Sequence, residues 1–246
     1  AHIVEKFVPA RIEPEKEIDE PKYLGKEVLK YPETLIVSLV NESKYLYENA
    51  IFEIVTHALN IHREDIKSNV GPKKIIKQSK EDFKANVRDM YYRKVKSIYG
   101  EIIRYATTGQ STLSVTKTQN NRIAQIKIAN RLMVEIIRDV RELNRNVSKY
   151  LFSDNKNMVK EYNRFRKKLV KALRVIYLFR TQEETGREQY YAKLLELKDE
   201  AKVAKHQSSK SIDKLIRESL ITVDMASSLV NDNDNVNDII KRLIDV

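Results

Sequence analysis

The stretch MVKEYNRFRKKLVKALRVIYLF, Met158 to Phe179, decides the fold. Met158, Tyr162, Phe165, Leu169, Ala172, Ile176 and Phe179 recur at spacings of four and three residues without a miss. A strand alternates every two residues, so this pattern excludes a strand and specifies a helix with one apolar seam. A repeat held near 3.5 residues specifies packing of the coiled-coil or bundle type.

Working outward, the same periodicity returns upstream. Ile123, Ile126, Met133, Ile137, Val140 and Val147 form a heptad seam on a helix over about 116–150, with Asn130 and Asn144 at two further seam positions. A buried Asn on such a seam fixes register. Val87, Tyr91, Val95, Ile98, Ile102 and Tyr105 face one way on a helix over about 80–106, closed by a loop TTGQSTLS. The first long helix starts near Pro32, a residue accepted in a first turn, and carries Ile36, Val40, Ser43, Tyr47, Ala50, Ile54, His57 and Ile61 on one face. Downstream, FSDN offers Ser153 or Asp154 as an N-cap. A fifth helix is expected over about 183–205, then a polar loop HQSSKS, then a sixth helix from near Ile212.

All five prolines lie within the first 72 residues, and the chain has only five glycines. Beta folds need many turns, so this composition predicts an all-α chain. The expected architecture is a tandem pair of three-helix bundles with long up-down antiparallel helices. Its expected divisions are an extended linker over 1–27, a first three-helix unit over 28–152 and a second over 153–246. VEIIRDVREL (Val134–Leu143) is faintly echoed by VDMASSLV (Val223–Val230), which favours an internal repeat.

With no cysteine, disulfides, thiolate catalysis and cysteine-based zinc sites are excluded. No stretch approaches the roughly 18 apolar residues that cross a bilayer. The formal charge of +11 favours an anionic partner without choosing among phosphate, nucleic acid and a membrane surface.

Glycine-rich phosphate loops and nucleophile elbows are absent from the sequence, so no enzymatic activity is expected. The run VNDNDNVND (Val230–Asp238) resembles a calcium loop but fails at three positions. Counted from Asp232, Val236 stands at position five, Asn237 at the glycine position and Leu243 at the glutamate position. A polar turn or a solvated helix face is the remaining reading. His57 and His62 lie five apart, off a common helix face, while His2 and His206 fall in the lead-in and a polar loop. Glu135 and Asp139 stand one helical turn apart and form the candidate metal-ligating pair, although Arg138 and Arg141 beside them favour a solvated salt-bridging face.

Arg164, Arg166, Lys167, Lys168, Lys171 and Arg174 surround the seam of the opening stretch. The first reading is the charged exterior of a bundle helix. The second is contact with anionic lipid headgroups, and the third is nucleic acid. An all-α chain offers no aromatic sheet platform for RNA, so nucleic acid is not expected as the partner.

EPKYLGKEVLKYPETLIVSLVNE (Glu20–Glu42) resembles the stretch that joins the membrane part of bacterial sodium/phosphate cotransporters to a PhoU-like cytosolic domain. Pro21, Lys22, Tyr23, Leu24, Leu29 and Pro32 carry the match. MASSLVND (Met225–Asp232) is similar to a late S-S-L-x-N-D signature, and IKIANRLMVEIIRDV (Ile126–Val140) to the third helix of a PhoU repeat. The resemblance implies repeated three-helix bundles and a regulatory domain of a sodium-dependent phosphate transporter, at the cytoplasmic face of the membrane. Its implied partner is a transmembrane transporter domain in the same full-length chain, with an anionic membrane surface nearby; an oligomer stays open. A free-standing PhoU-like regulator and a basic helical nucleic-acid-binding protein remain the alternatives. PhoU relatives hold metal clusters on an acidic motif in each third helix. Aligned on IAN, those places fall here on Arg131, Met133 and Ile137, and the Glu135–Asp139 pair is displaced by two residues. That shift turns a helix face by about 200°. In the second repeat Asp224 is followed four residues later by Ser228. No metal or other cofactor is therefore expected.

Overall fold

The computed structural model describes residues 17–204 and 210–246. The linker expectation for residues 1–16, together with His2, His206 and most of the loop after Ala204, lies outside the described residues. What is described is all-α, as the periodicity requires.

α1 (Pro32–Leu46) runs through one turn of π-helix (Tyr47–Ile51) into α2 (Phe52–Ala58), making a single rod with Pro32 in its first turn. Leu35, Ile36, Leu39, Leu46, Ile51, Ile54 and Val55 are fully enclosed on it. The rod stops where Asn60 takes φ 53°, a left-handed conformation that asparagine tolerates better than most residues. Two short helices follow, α3 (Arg63–Lys67) and α4 (Pro72–Gln78), the second with Pro72 in its first turn.

The expected second helix differs at both ends. Residues 80–86 are not helical; Asn86 accepts from the Asp89 amide at 3.0 Å and starts α5 (Val87–Lys94), and Val95 sits at a bend before α6 (Lys96–Thr112). α6 continues through most of the expected TTGQSTLS loop. Gly109 explains this: a Cβ there would collide with the Leu35 side chain, so the glycine is a close-approach site between α6 and α1. Packing overrides the poor helix propensity of Thr, Ser and Gly.

α7 (Lys117–Tyr150) opens on a reciprocal capping box between Thr116 and Gln119. Its seam is buried as expected. Asn130 donates to Ser43 Oγ at 2.7 Å and Asn144 to the Ala58 carbonyl at 2.9 Å, so both seam amides fix α7 against the first rod. α8 (Lys156–Thr181) is capped by Asn155, whose side chain accepts from the Asn157 and Met158 amides, rather than by Ser153 or Asp154. α9 (Glu184–Ala204) follows. The expected sixth helix is two helices, α10 (Lys210–Arg217) and α11 (Val223–Asp245), with Ser219 at φ 52° between them and Thr222 as the α11 cap.

Two three-helix groups emerge. The α1–α2 rod, α5–α6 and α7 close on one another, as do α8, α9 and α11. One hydrophobic core runs through both, because α7 packs on α11 and α8 reaches back onto α3 and α4. The segment before α1 is not a loose linker where it is described. Glu42, fully buried, accepts from the Lys22 and Tyr23 amides at 3.2 and 2.5 Å, and the Asp19 amide donates to the Arg93 carbonyl.

Candidate functional site

The six cations singled out on α8 divide into two sets. Arg166 and Arg174, eight residues apart, turn inward. The Arg166 side chain is 1% exposed and donates to the carbonyls of Leu59 (2.7 Å), Asn60 (3.0 Å) and Ser79 (3.1 Å), and to Asn163 Oδ1. Arg174 donates to the carbonyls of Ile66, Val70 and Asp65. These carbonyls are concentrated at the C-terminal ends of α2 and α3, where the last groups of a helix lack intrahelical partners and the dipole is negative. A planar five-donor guanidinium suits that task. Burial alone pushes the Arg166 pKa down to about 10, still well above neutrality. Neither arginine is an outward anion contact, which corrects the sequence expectation for both.

Lys167 and Lys171 are exposed and Lys168 is half-buried, as the outward reading requires. Arg164 is occupied by Glu161 at 3.2 Å and Ser211 at 2.8 Å. Facing this row across a groove are Lys73, Lys74 and Lys77 of α4. The groove has a volume of about 620 Å³, within the usual range for small-ligand sites. Lysine side chains from both walls line it together with Gly71, Pro72 and Arg164, and lysine lays its methylenes along such a surface while its ammonium group stays in water. The α4 lysines lie about 90 residues before α8, so no spacing along the sequence joins the two rows.

The acidic pair on α7 is engaged by α11. Arg242 binds Glu135 at 3.2 Å and also Asp139, while Arg138 and Arg131 hold the other carboxylate oxygens. Asp139 is buried rather than solvated, and its pKa is raised by that burial, with Arg242 pulling the other way. The pair is therefore an interhelical ion pair, which corrects the fully solvated face expected from sequence. No group of three or more Asp, Glu, His or Cys side chains able to hold a metal occurs among the described residues.

The acid-amide run of α11 overturns its own reading as a turn or solvated face. It is helical throughout, and Asp232, Asn233 and Asn237 are buried. Asp232 accepts from the Tyr162 hydroxyl at 2.6 Å and from Asn146 at 2.9 Å, so it ties α11 to both α7 and α8. Burial raises its pKa to about 6, against the opposing pull of those hydrogen bonds. Tyr162, stacked on Tyr150 with ring centroids 5.1 Å apart, has its own pKa raised by burial and then by Asp232. His57 and His62 flank the Phe83 ring, with centroids at 5.4 and 4.7 Å.

Among the described residues no helix is long and apolar enough to cross a membrane. Compared with known proteins, the chain matches no family model, no curated protein and no solved structure.

Proposed function

We propose that the chain is a non-catalytic regulatory domain of a sodium-dependent phosphate transporter, working at the cytoplasmic face of the membrane by contact with a transmembrane transporter part of the same chain. The observation that carries the reading is the clasp at Glu42. A carboxylate with no solvent exposure spends both oxygens on the amides of Lys22 and Tyr23, inside the PKYLG stretch on which the resemblance to PhoU-like transporter domains rests. Lys22 lies 5.6 Å from the Tyr23 and Tyr45 ring centroids, which closes the clasp from outside. A segment fixed in this way transmits position between the bundle and whatever precedes it, which is what a regulatory attachment needs. Asp232, the last residue of MASSLVND, is equally committed to the core, so both matching stretches have structural work in a helical domain of this type.

The test is sodium-dependent uptake of radiolabelled phosphate in cells whose transporter gene lacks this domain. Uptake at equal transporter level is expected to change by about fivefold, the lower end of typical coupling between sites. Glu42→Gln, which leaves the helices in place, is expected to reproduce part of that change. Unchanged uptake in the deletion overturns the reading.

A further inference from the structure

We propose that the groove between α4 and α8 binds a small anion carrying two or more phosphate groups, of the class of pyrophosphate or the polyphosphate tail of a nucleotide. Three lysines come from each wall: Lys73, Lys74 and Lys77 from α4, and Lys167, Lys168 and Lys171 from α8. Lys171 has a carboxylate, Glu200, only at the limit of ion-pair reach, 3.9 Å. Among the described residues, no carboxylate comes within that reach of the other five. Another cavity, of about 430 Å³, carries fewer cations. Three cations line it, Lys44, Arg180 and Arg187; Arg180 is spent on Glu48 at 3.2 Å and on the face of Tyr47, and Arg187 donates to the Gln182 carbonyl.

Five ammonium groups without a carboxylate partner within ion-pair reach are gathered around one concavity, and the positive potential they create there draws an anion. Burial first, and then the Arg164 guanidinium, lower the proton affinity of Lys168, against the opposing pull of Glu200 and Glu161. The groove is also held open in advance. Arg166 and Arg174 clamp the carbonyls that flank α4 and α3, so the α4 lysines stand at a fixed distance from those of α8 without a ligand to organise them. Charge number selects the ligand: a polyphosphate of charge about −3 to −4 matches the free cations better than sulfate or a single phosphate.

Shape argues for a soluble anion rather than a bilayer. A flat headgroup layer meets convex surfaces flanked by apolar side chains that insert. This site is concave, and no large apolar side chain of α3, α4 or α8 is exposed. The inference stands apart from the transporter reading, and either can fail without the other.

Isothermal titration of the full chain with pyrophosphate, orthophosphate and sulfate at matched ionic strength tests it. One pyrophosphate per chain is expected, bound at least about tenfold tighter than sulfate and weakening as salt rises. The double variant Lys77→Gln/Lys167→Gln is expected to lose at least about tenfold, since each removed ammonium takes a charge-assisted hydrogen bond with it. Both side chains are exposed, so thermal unfolding of this variant stays at the parent temperature. The pair Lys26→Gln/Lys30→Gln, which removes the same net charge elsewhere, is expected to bind normally. Equal binding of sulfate and pyrophosphate overturns the proposal, as does equal loss in the two double variants. Sedimentation with phosphatidylglycerol vesicles that pyrophosphate does not compete away also overturns it, in favour of a lipid surface.

Discussion

Where α8 meets the α2–α4 segment, buried charge is answered by backbone; where α7 and α8 meet α11, it is answered by side chains. Arg166 and Arg174 have no carboxylate partner in their hydrogen-bonding sets and lean on the carbonyls of helix ends. Asp139, Glu135 and Asp232 meet Arg242, a tyrosine hydroxyl and an amide. The two solutions respond differently to conditions. Carbonyls do not titrate and a guanidinium keeps its proton at any ordinary pH, so the first joint is indifferent to pH. The second contains carboxylates whose proton affinity burial has raised, and it is pH-sensitive.

The comparison breaks first at Arg166. Arg166→Ala leaves two buried carbonyls and one part-buried carbonyl unmet and is expected to cost about 3 kcal/mol, or roughly 6–12 °C in Tm for a chain of this size. Arg166→Lys recovers little, because an ammonium cannot reproduce the planar fork. A parent-like Tm for the alanine variant would show that the carbonyls are satisfied by water.

Asp232 sharpens the other side. Its carboxyl holds its proton up to about pH 6 in the folded chain and to the ordinary 3.8 when unfolded. The folded state thus binds more protons between those values, and stability falls as pH rises from about 4 to 6. The full shift corresponds to roughly 2–3 kcal/mol at 1.4 kcal/mol per unit. Asp232→Asn keeps an acceptor for Tyr162 and is expected to flatten that part of the pH profile in urea unfolding; an unaltered slope counts against the assignment.

Arg242→Gln comes next. It leaves Asp139 buried with only Arg138 in reach, for an expected loss of about 1–2 kcal/mol at neutral pH. The loss shrinks in acid as Asp139 protonates. The smallest effect is expected at Arg131, whose pairing with Glu135 is largely solvated: Arg131→Gln changes stability by less than about 0.5 kcal/mol, and salt erases the difference.

Most of the helices were legible because burial repeats with the helical period. The seams on α7 and α8, the Pro32 start and the two register-fixing asparagines all follow from spacing. The misplaced boundaries share a cause: Gly109, Asn86 and Ser219 act through a close approach, a cap and a left-handed turn, and each depends on a neighbour or a backbone angle that spacing does not encode. The candidate site was half legible. The outward lysines of α8 were in view, while their counterparts on α4 are joined to them only by folding.

By itself, then, the sequence determined the all-α class, the long seams and the excess of positive charge, because these are sums and periods along one chain. Only the tertiary structure decided which charges go inside. Arg166 and Lys167 are neighbours in a basic run, yet the first faces the open end of α2 and the second faces water. On α11, Asp232 enters the core because Tyr162 and Asn146 wait there to satisfy it. A long polar side chain beside an apolar seam sits at the boundary between core and solvent, and the hydrogen-bonding groups that the opposing helices bring within reach settle its side.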